Sequence, residues 1–127
     1  MSETTIENAK IRSTMLGRED HGIMTAYIEV EAPGWGCAFG GYVFDEWQGE
    51  RGKDGRRVGN AYGTEFIARV LATLEVSSWE RLPGTVLRVE TEGWGGRIRR
   101  IGHFLKDQWF DPKALADEMR RAGERVV

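Results

Sequence analysis

A chain of 127 residues with 18 Lys and Arg against 20 Asp and Glu carries a formal charge of -2, and this length suits one domain that buries roughly two-thirds of the surface its unfolded form exposes. The slight acidic balance excludes a protein that coats long nucleic acids by charge, and the single cysteine, Cys37, excludes an internal disulfide. No apolar run reaches membrane-spanning length, and Met1-Ser2-Glu3-Thr4-Thr5 lacks a basic stretch followed by an apolar one, so the expectation is a soluble intracellular protein with no membrane partner.

From Ala9 to Met15 the odd positions Ala9, Ile11 and Met15 alternate with Asn8, Lys10, Arg12 and Thr14, the period of a half-buried strand. Arg18 to Gly22 reads as a turn. Met24, Ala26, Ile28 and Val30 then alternate with Thr25, Tyr27, Glu29 and Glu31, which predicts a second strand and a hairpin ended by Ala32-Pro33-Gly34. The third segment, Gly36 to Trp47, is apolar on both parities and holds Gly40-Gly41, so a ligand or a second subunit is expected to approach both of its faces. Gln48 to Arg57 mixes glycine and charge without an apolar anchor and predicts a mobile loop. Tyr62, Phe66, Ile67, Val70, Leu71 and Leu74 recur at helical spacing and predict the main helix.

Ser77 and Glu80 have capping-box spacing ahead of Pro83-Gly84, and Leu87 and Val89 against Arg88, Glu90 and Glu92 predict a fourth strand. Gly93-Trp94-Gly95-Gly96 turns the chain into a fifth strand, which is basic. Asp111-Pro112 opens a last helix with a capping carboxylate and a proline at its first position, and Leu115 and Met119 form its apolar face. The fold class is α+β: an antiparallel sheet with a central amphipathic helix and a short C-terminal helix, one domain over residues 1–127. Five Trp and the two-sided third segment leave more apolar surface than one small core covers, which predicts an oligomer.

Catalytic chemistry has little to stand on. Asp20-His21 is a polar turn pair, His103 in the basic strand is the better candidate but a lone histidine usually serves as a hydrogen-bonding group, and Ser13, Ser77 and Ser78 lack a nucleophile-elbow context. Two histidines and one cysteine, far apart, give no metal spacing, and no cofactor is implied. Cys37 reads as a small buried residue. Gly34-Trp35-Gly36 and Phe39-Gly40-Gly41 are too short for a dinucleotide fingerprint or a phosphate loop and read first as tight turning.

The densest signal is Trp94 to Phe110, where Arg97, Arg99, Arg100, Lys106 and His103 lie between Trp94 at one end and Trp109 and Phe110 at the other. No acid occurs between Gly93 and Lys106, and strict alternation puts Arg97, Arg99 and His103 on one strand face. A solvated edge that discourages aggregation would look similar. Cations bind phosphates and flat rings bind bases, so the sharper reading is a phosphate clamp with stacking walls.

The segments Ile6-Glu7-Asn8-Ala9-Lys10-Ile11, Glu19-Asp20-His21-Gly22-Ile23-Met24-Thr25-Ala26, Phe39-Gly40-Gly41-Tyr42, Gly63-Thr64-Glu65-Phe66-Ile67, Ser78-Trp79-Glu80-Arg81-Leu82-Pro83-Gly84, Leu87-Arg88-Val89-Glu90 and Ile101 to Phe110 resemble, in order and nearly end to end, the bacteriophage anti-Thoeris proteins of the first type. The resemblance implies a sponge in the host cytoplasm that sequesters cyclic ADP-ribose isomers made by TIR-domain immune enzymes and does not cleave them. It implies homodimers with recessed interface pockets, assembly to hexamers, and cyclic oligonucleotides as further ligands at a separate site. The pocket segments carried over are Phe39-Gly40-Gly41, Ile101-Gly102-His103 and Lys106 to Phe110. Arg99-Arg100 and the charged stretch from Gln48 to Arg57 depart from the family pattern.

The residues and the resemblance together make up the expected ligand-binding set: Phe39, Gly40, Gly41, Asn60, Trp94, Arg97, Arg99, His103, Lys106, Trp109 and Phe110. Arg and Lys meet the pyrophosphate, an aromatic face stacks on adenine, and Asn60 or an amide of Phe39-Gly40-Gly41 reaches ribose hydroxyls. The competing readings are a nucleotide phosphodiesterase, a single-stranded nucleic-acid-binding module and a protein inhibitor that docks through exposed Trp.

Overall fold

The computed structural model describes residues 4–19, 21–93 and 96–126; Asp20 of the first expected turn, and Trp94 and Gly95 of the second, lie outside them. In chain order the elements are β1 (Thr4–Glu19), β2 (Ile23–Ala32), β3 (Trp35–Gly40), β4 (Asp45–Gln48), β5 (Arg56–Gly59), α1 (Ala61–Leu74), a 3-10 turn (Trp79–Arg81), β6 (Val86–Glu92), β7 (Ile98–His103), β8 (Trp109–Phe110) and α2 (Pro112–Arg121). Six strands form an antiparallel sheet in the order β3-β2-β1-β6-β7-β8, and β4 pairs with β5 in a separate ribbon. The fold is α+β, as the alternation predicts.

One sheet face is apolar: Ala9, Ile11, Ala26, Ile28, Val30, Phe39, Leu87, Val89, Ile101 and Phe110 are buried, and Phe66, Val70, Leu115 and Met119 of the two helices join them in one core. The other face carries Asn8, Lys10, Glu29, Glu31, Arg88 and Glu90, set by the same registers. A bulge at Arg12 reverses the alternation of β1, because Ile11 pairs with Val30 but Ser13 with Glu29. Met15 therefore pairs with Tyr27 away from the core, and Leu16 takes the core-side place opposite Ala26. The expected odd-parity face ends at Ile11.

The third segment is not one strand. Gly40 and Gly41 have φ of +112° and +81°, and a β-carbon on Gly40 would lie 2.6 Å from the Ala26 carbonyl oxygen. Only glycine fits such a backbone against its neighbour. The chain leaves the sheet there, and the doubled apolar parity sorts itself: Phe39 and Phe44 are buried, while Tyr42 and Trp47 are exposed. The expected mobile loop also shortens, since Arg56 and Arg57 belong to β5 and the hairpin tip is closed by Glu50 accepting from the Lys53 and Gly55 amides.

Asn60 caps α1 by accepting from the Gly63 amide at 2.8 Å, and Asp111 caps α2 by accepting from the Lys113 and Ala114 amides ahead of Pro112, the arrangement its sequence predicts. The Ser77–Glu80 capping box does not form: the element is a single 3-10 turn whose N-cap is Ser78, with no side-chain cap bond. Cys37 is half-buried, not buried.

Asp45, 2% exposed, ties the β4–β5 ribbon to the sheet. It accepts from Arg57 Nη2 at 2.6 Å and from the Met24 amide at 3.1 Å, with Arg18 Nη1 at 3.7 Å. The Arg57 hydrogen bond holds its carboxyl below the usual aspartate value against the opposing effect of burial. A depressed acid stabilises the fold above its unfolded value, and that stability is lost as pH falls through the folded one. Asp45→Asn should thus lower the melting temperature at neutral pH, by about 2 to 4 kcal/mol of stability. The gap between parent and variant should close as pH drops below about 4. Thermal melts from pH 7 to pH 3 check this; a gap that widens in acid refutes it.

Candidate functional site

The basic run does not stay together. A second bulge, at Arg99, breaks β7: Glu90 pairs with Arg100 but Thr91 pairs with Ile98. Arg99 and His103 consequently do not share a strand face as strict alternation expects. Acids absent from the run itself arrive from neighbouring elements. Glu90 of β6 accepts from Arg100 Nε at 3.0 Å and Nη2 at 3.2 Å, and its Oε2 lies 4.0 Å from Arg99 Nε.

On the same face Trp109 lies over Gly102, where a β-carbon would come within 2.6 Å of the indole. The guanidiniums of Arg100 and Arg88 sit 4.3 Å and 4.7 Å from the ring centre. The Trp109 ring is thus engaged within the fold. His103 and Lys106 turn instead to Glu75, the residue that closes α1 in a left-handed conformation at φ 57°. Lys106 Nζ is 2.7 Å and His103 Nε2 is 3.6 Å from Glu75 Oε2, and the Lys106 hydrogen bond holds the Glu75 carboxyl below its usual value.

Arg97 and Arg99 go elsewhere. With Tyr42, Glu92, Asp111 and Lys113 they line a cleft of about 230 Å³. A second cleft of about 290 Å³ adjoins it, because Tyr42, Arg97 and Lys113 belong to both, and adds Tyr62, Pro112, Ala116 and Arg120. The Gly40–Gly41 break delivers Tyr42, which is 40% exposed and stands at 84° to the Tyr62 ring with centres 6.2 Å apart. Asp111-Pro112 starts α2 at the same place and so brings Lys113 and, two turns on, Arg120.

Partial burial raises the pKa of the Tyr42 phenol above its ordinary value, with Arg97 pulling it down and Asp111 pushing it up. Tyr62 is raised further, first by burial and then by Tyr42. Both phenols are therefore neutral donors at physiological pH. Among the described residues, neither Arg97 nor Lys113 has an acid within ion-pair distance, whereas Arg120 is 3.6 Å from Asp117. The lining offers two unpaired cations, an exposed tyrosine, a half that adds Pro112 and Ala116 and a half with two carboxylates.

Of the eleven expected ligand residues, Arg97 and Arg99 enter this cleft and Gly40-Gly41 shapes it. Phe39 and Phe110 are 2% and 3% exposed and belong to the core. Asn60 spends its side chain on the α1 cap and on the Val43 carbonyl, His103 and Lys106 are held at Glu75, Trp109 lies over Gly102 and with Phe110 and Arg100 lines a separate cleft of about 220 Å³, and Trp94 lies outside the described residues. Tyr42, Tyr62, Lys113 and Arg120, with Glu92, Asp111, Pro112 and Ala116, line the clefts without having been in the expected set. The signal for Lys113 was the predicted helix start, which puts a cation at a chain reversal; nothing in the sequence brings Arg120 beside Tyr42. Among the described residues, no group of three or more His, Cys, Asp and Glu is placed to hold a metal ion, and no helix is long and apolar enough to cross a membrane.

Comparison with family models, with curated proteins and with solved structures gives no match.

If Trp109 needs the gap at Gly102, Gly102→Ala must displace the ring or the strand. The expected outcome is an altered near-ultraviolet circular dichroism spectrum and a loss of about 1 to 3 kcal/mol in stability. Arg97→Ala, at an exposed position, should change stability by no more than about 0.5 kcal/mol. Denaturant titration of the two variants beside the parent measures both, and equal stability of Gly102→Ala and parent would contradict the close approach.

Proposed function

We propose that the protein is a phage anti-defence sponge that captures a cyclic ADP-ribose-type signalling nucleotide in the Tyr42–Arg97–Lys113 cleft and releases it unaltered. The observation that carries this reading is the meeting of unpaired Arg97 and Lys113 with the exposed Tyr42 ring at the junction of the two half-clefts. The cations take the pyrophosphate through charge-assisted hydrogen bonds. Tyr42 supplies a stacking face for adenine, with Pro112 and Ala116 as an apolar wall. Glu92 and Asp111 face the other half and can accept from ribose hydroxyls. The residue pattern resembling anti-Thoeris proteins supports the same ligand class.

Function then follows from mass action. A binder present in excess lowers the free concentration of a signal without chemistry, so the proposal needs neither a catalytic group nor a cofactor. Its setting is the cytoplasm of the infected host, as a homo-oligomer, and cyclic oligonucleotides are further ligands under the same proposal.

The test mixes the purified protein with a cyclic ADP-ribose isomer, removes free ligand, heats the complex and analyses what is released. Recovery of intact ligand supports a sponge. Recovery of a cleaved product replaces it with a phosphodiesterase, and no capture leaves a nucleic-acid or protein partner. Calorimetric titration locates the site: Arg97→Ala and Lys113→Ala should each weaken binding about ten- to a hundredfold, and Tyr42→Ala comparably. Trp109→Ala should leave affinity within about threefold of the parent. The cleft is the wrong site if Trp109→Ala abolishes capture while Arg97→Ala does not.

A further inference from the structure

The segment after α2 turns back onto the cleft. The helix closes with the Gly123 amide donating to the Arg120 carbonyl at 3.0 Å and the Glu124 amide donating to the Met119 carbonyl at 2.9 Å. Gly123 stands at φ +86°, the left-handed conformation that this kind of helix end requires and that a side chain would strain. The chain therefore reverses instead of continuing along the helix axis. Arg125 Nε then lies 3.7 Å from Glu46 Oε2 of the β4–β5 ribbon, and Val126, partly buried, packs against the core.

Val126 lines the half-cleft that Tyr42, Tyr62, Pro112 and Ala116 form. Those are the surfaces that a planar ring entering the cleft has to cover, so the valine and such a ring compete for one wall. The contact that fastens the segment is weak by construction. The Arg125 side chain is 80% exposed and that of Glu46 29%, and an ion pair so open to water biases an equilibrium by no more than about fivefold. Glu46 Oε2 itself is buried and makes no hydrogen bond among the described residues, which leaves Arg125 as the charge that compensates it.

We infer that residues 123–126 are a strap across the apolar half of the cleft, with Val126 as its plug and the Arg125–Glu46 pair as its latch, and that a nucleotide base displaces the plug to enter. The inference rests on the reading of the cleft as a nucleotide site. A site that is closed in most molecules binds with an affinity reduced by its open fraction, so loosening the strap tightens binding.

Two measurements keep strap and ligand apart. Nuclear Overhauser contacts between the Val126 methyls and the Tyr42 and Tyr62 rings report the strap in the protein alone. They should be present in the parent, weaken in Arg125→Gln and in Glu46→Gln, and vanish when cyclic ADP-ribose saturates the protein. Calorimetric titration with cyclic ADP-ribose reports the gate: Val126→Ser should bind about three- to tenfold more tightly than the parent, and each latch variant about two- to fivefold. Arg125→Gln removes a cation and Glu46→Gln an anion, so a change of net charge alone would move the affinity for an anion in opposite directions. A latch moves it in one direction, and the double variant gains little beyond either single one. The inference is overturned if the parent shows no contact between Val126 and the tyrosines, if Val126→Ser binds no more tightly than the parent, or if the latch variants shift affinity oppositely. Methyl contacts that loosen in the latch variants, with no capture of nucleotide by any form, uphold the strap and overturn the nucleotide reading instead.

Discussion

The chain's departure from the sheet edge at Gly40 is the constraint on which the site depends. Positive φ at Gly40 and Gly41, with the Ala26 carbonyl pressed against the first of them, ends β3 and turns the next residues over the apolar face. Three consequences follow within five residues. Tyr42 is left at the surface beside α2, Phe44 drops into the core against Phe66 at 5.1 Å, and Asp45 meets Arg57 and the Met24 amide. The Thr25 hydroxyl donates to the Tyr42 carbonyl at 2.6 Å, so the ring is presented from a backbone fixed on both sides. An aromatic face held this way can stack on a ligand without first being ordered.

Electrostatics then decides which cations are free. Seven residues, Arg97 to His103, hold three arginines, and a strand with so many like charges would repel itself unless acids came from elsewhere. Glu90 holds Arg100 and lies near Arg99, and Glu75 holds Lys106. Arg97 comes just before the strand begins, is within ion-pair distance of neither acid, and lines the cleft with Lys113, Glu92 and Asp111. The register of β6 on β7 sets the Arg100–Glu90 pair, while the end of α1 supplies the partner of Lys106.

Local periodicity made much of the frame legible. The two hairpin strands, both helices, the Asp111-Pro112 start and the fourth strand follow from alternation, 3.6-residue spacing and capping chemistry. Bulges were not legible. Arg12 and Arg99 each add one residue to a strand, and one residue is enough to move every later side chain to the other face, which is why Met15 and His103 fall where simple alternation does not put them. Gly40 was visible as a close approach, and the neighbour at that position is the Ala26 backbone.

The site was legible only in Arg97 and Arg99, for a physical reason. A cleft built from the end of a strand break, the start of β7 and the first turns of α2 joins residues 42, 97 and 113, whose proximity is a property of topology and not of spacing. Aromatic residues mislead in the same way. Phe39, Phe110 and Trp109 stand beside glycines or cations in sequence, as ligand-stacking rings do, yet burial claims the first two and Gly102 the third. What separates a stacking ring from a core ring is whether its face is covered, and in this chain Tyr42, the least conspicuous aromatic in the sequence, keeps 40% of its surface open next to two unpaired cations.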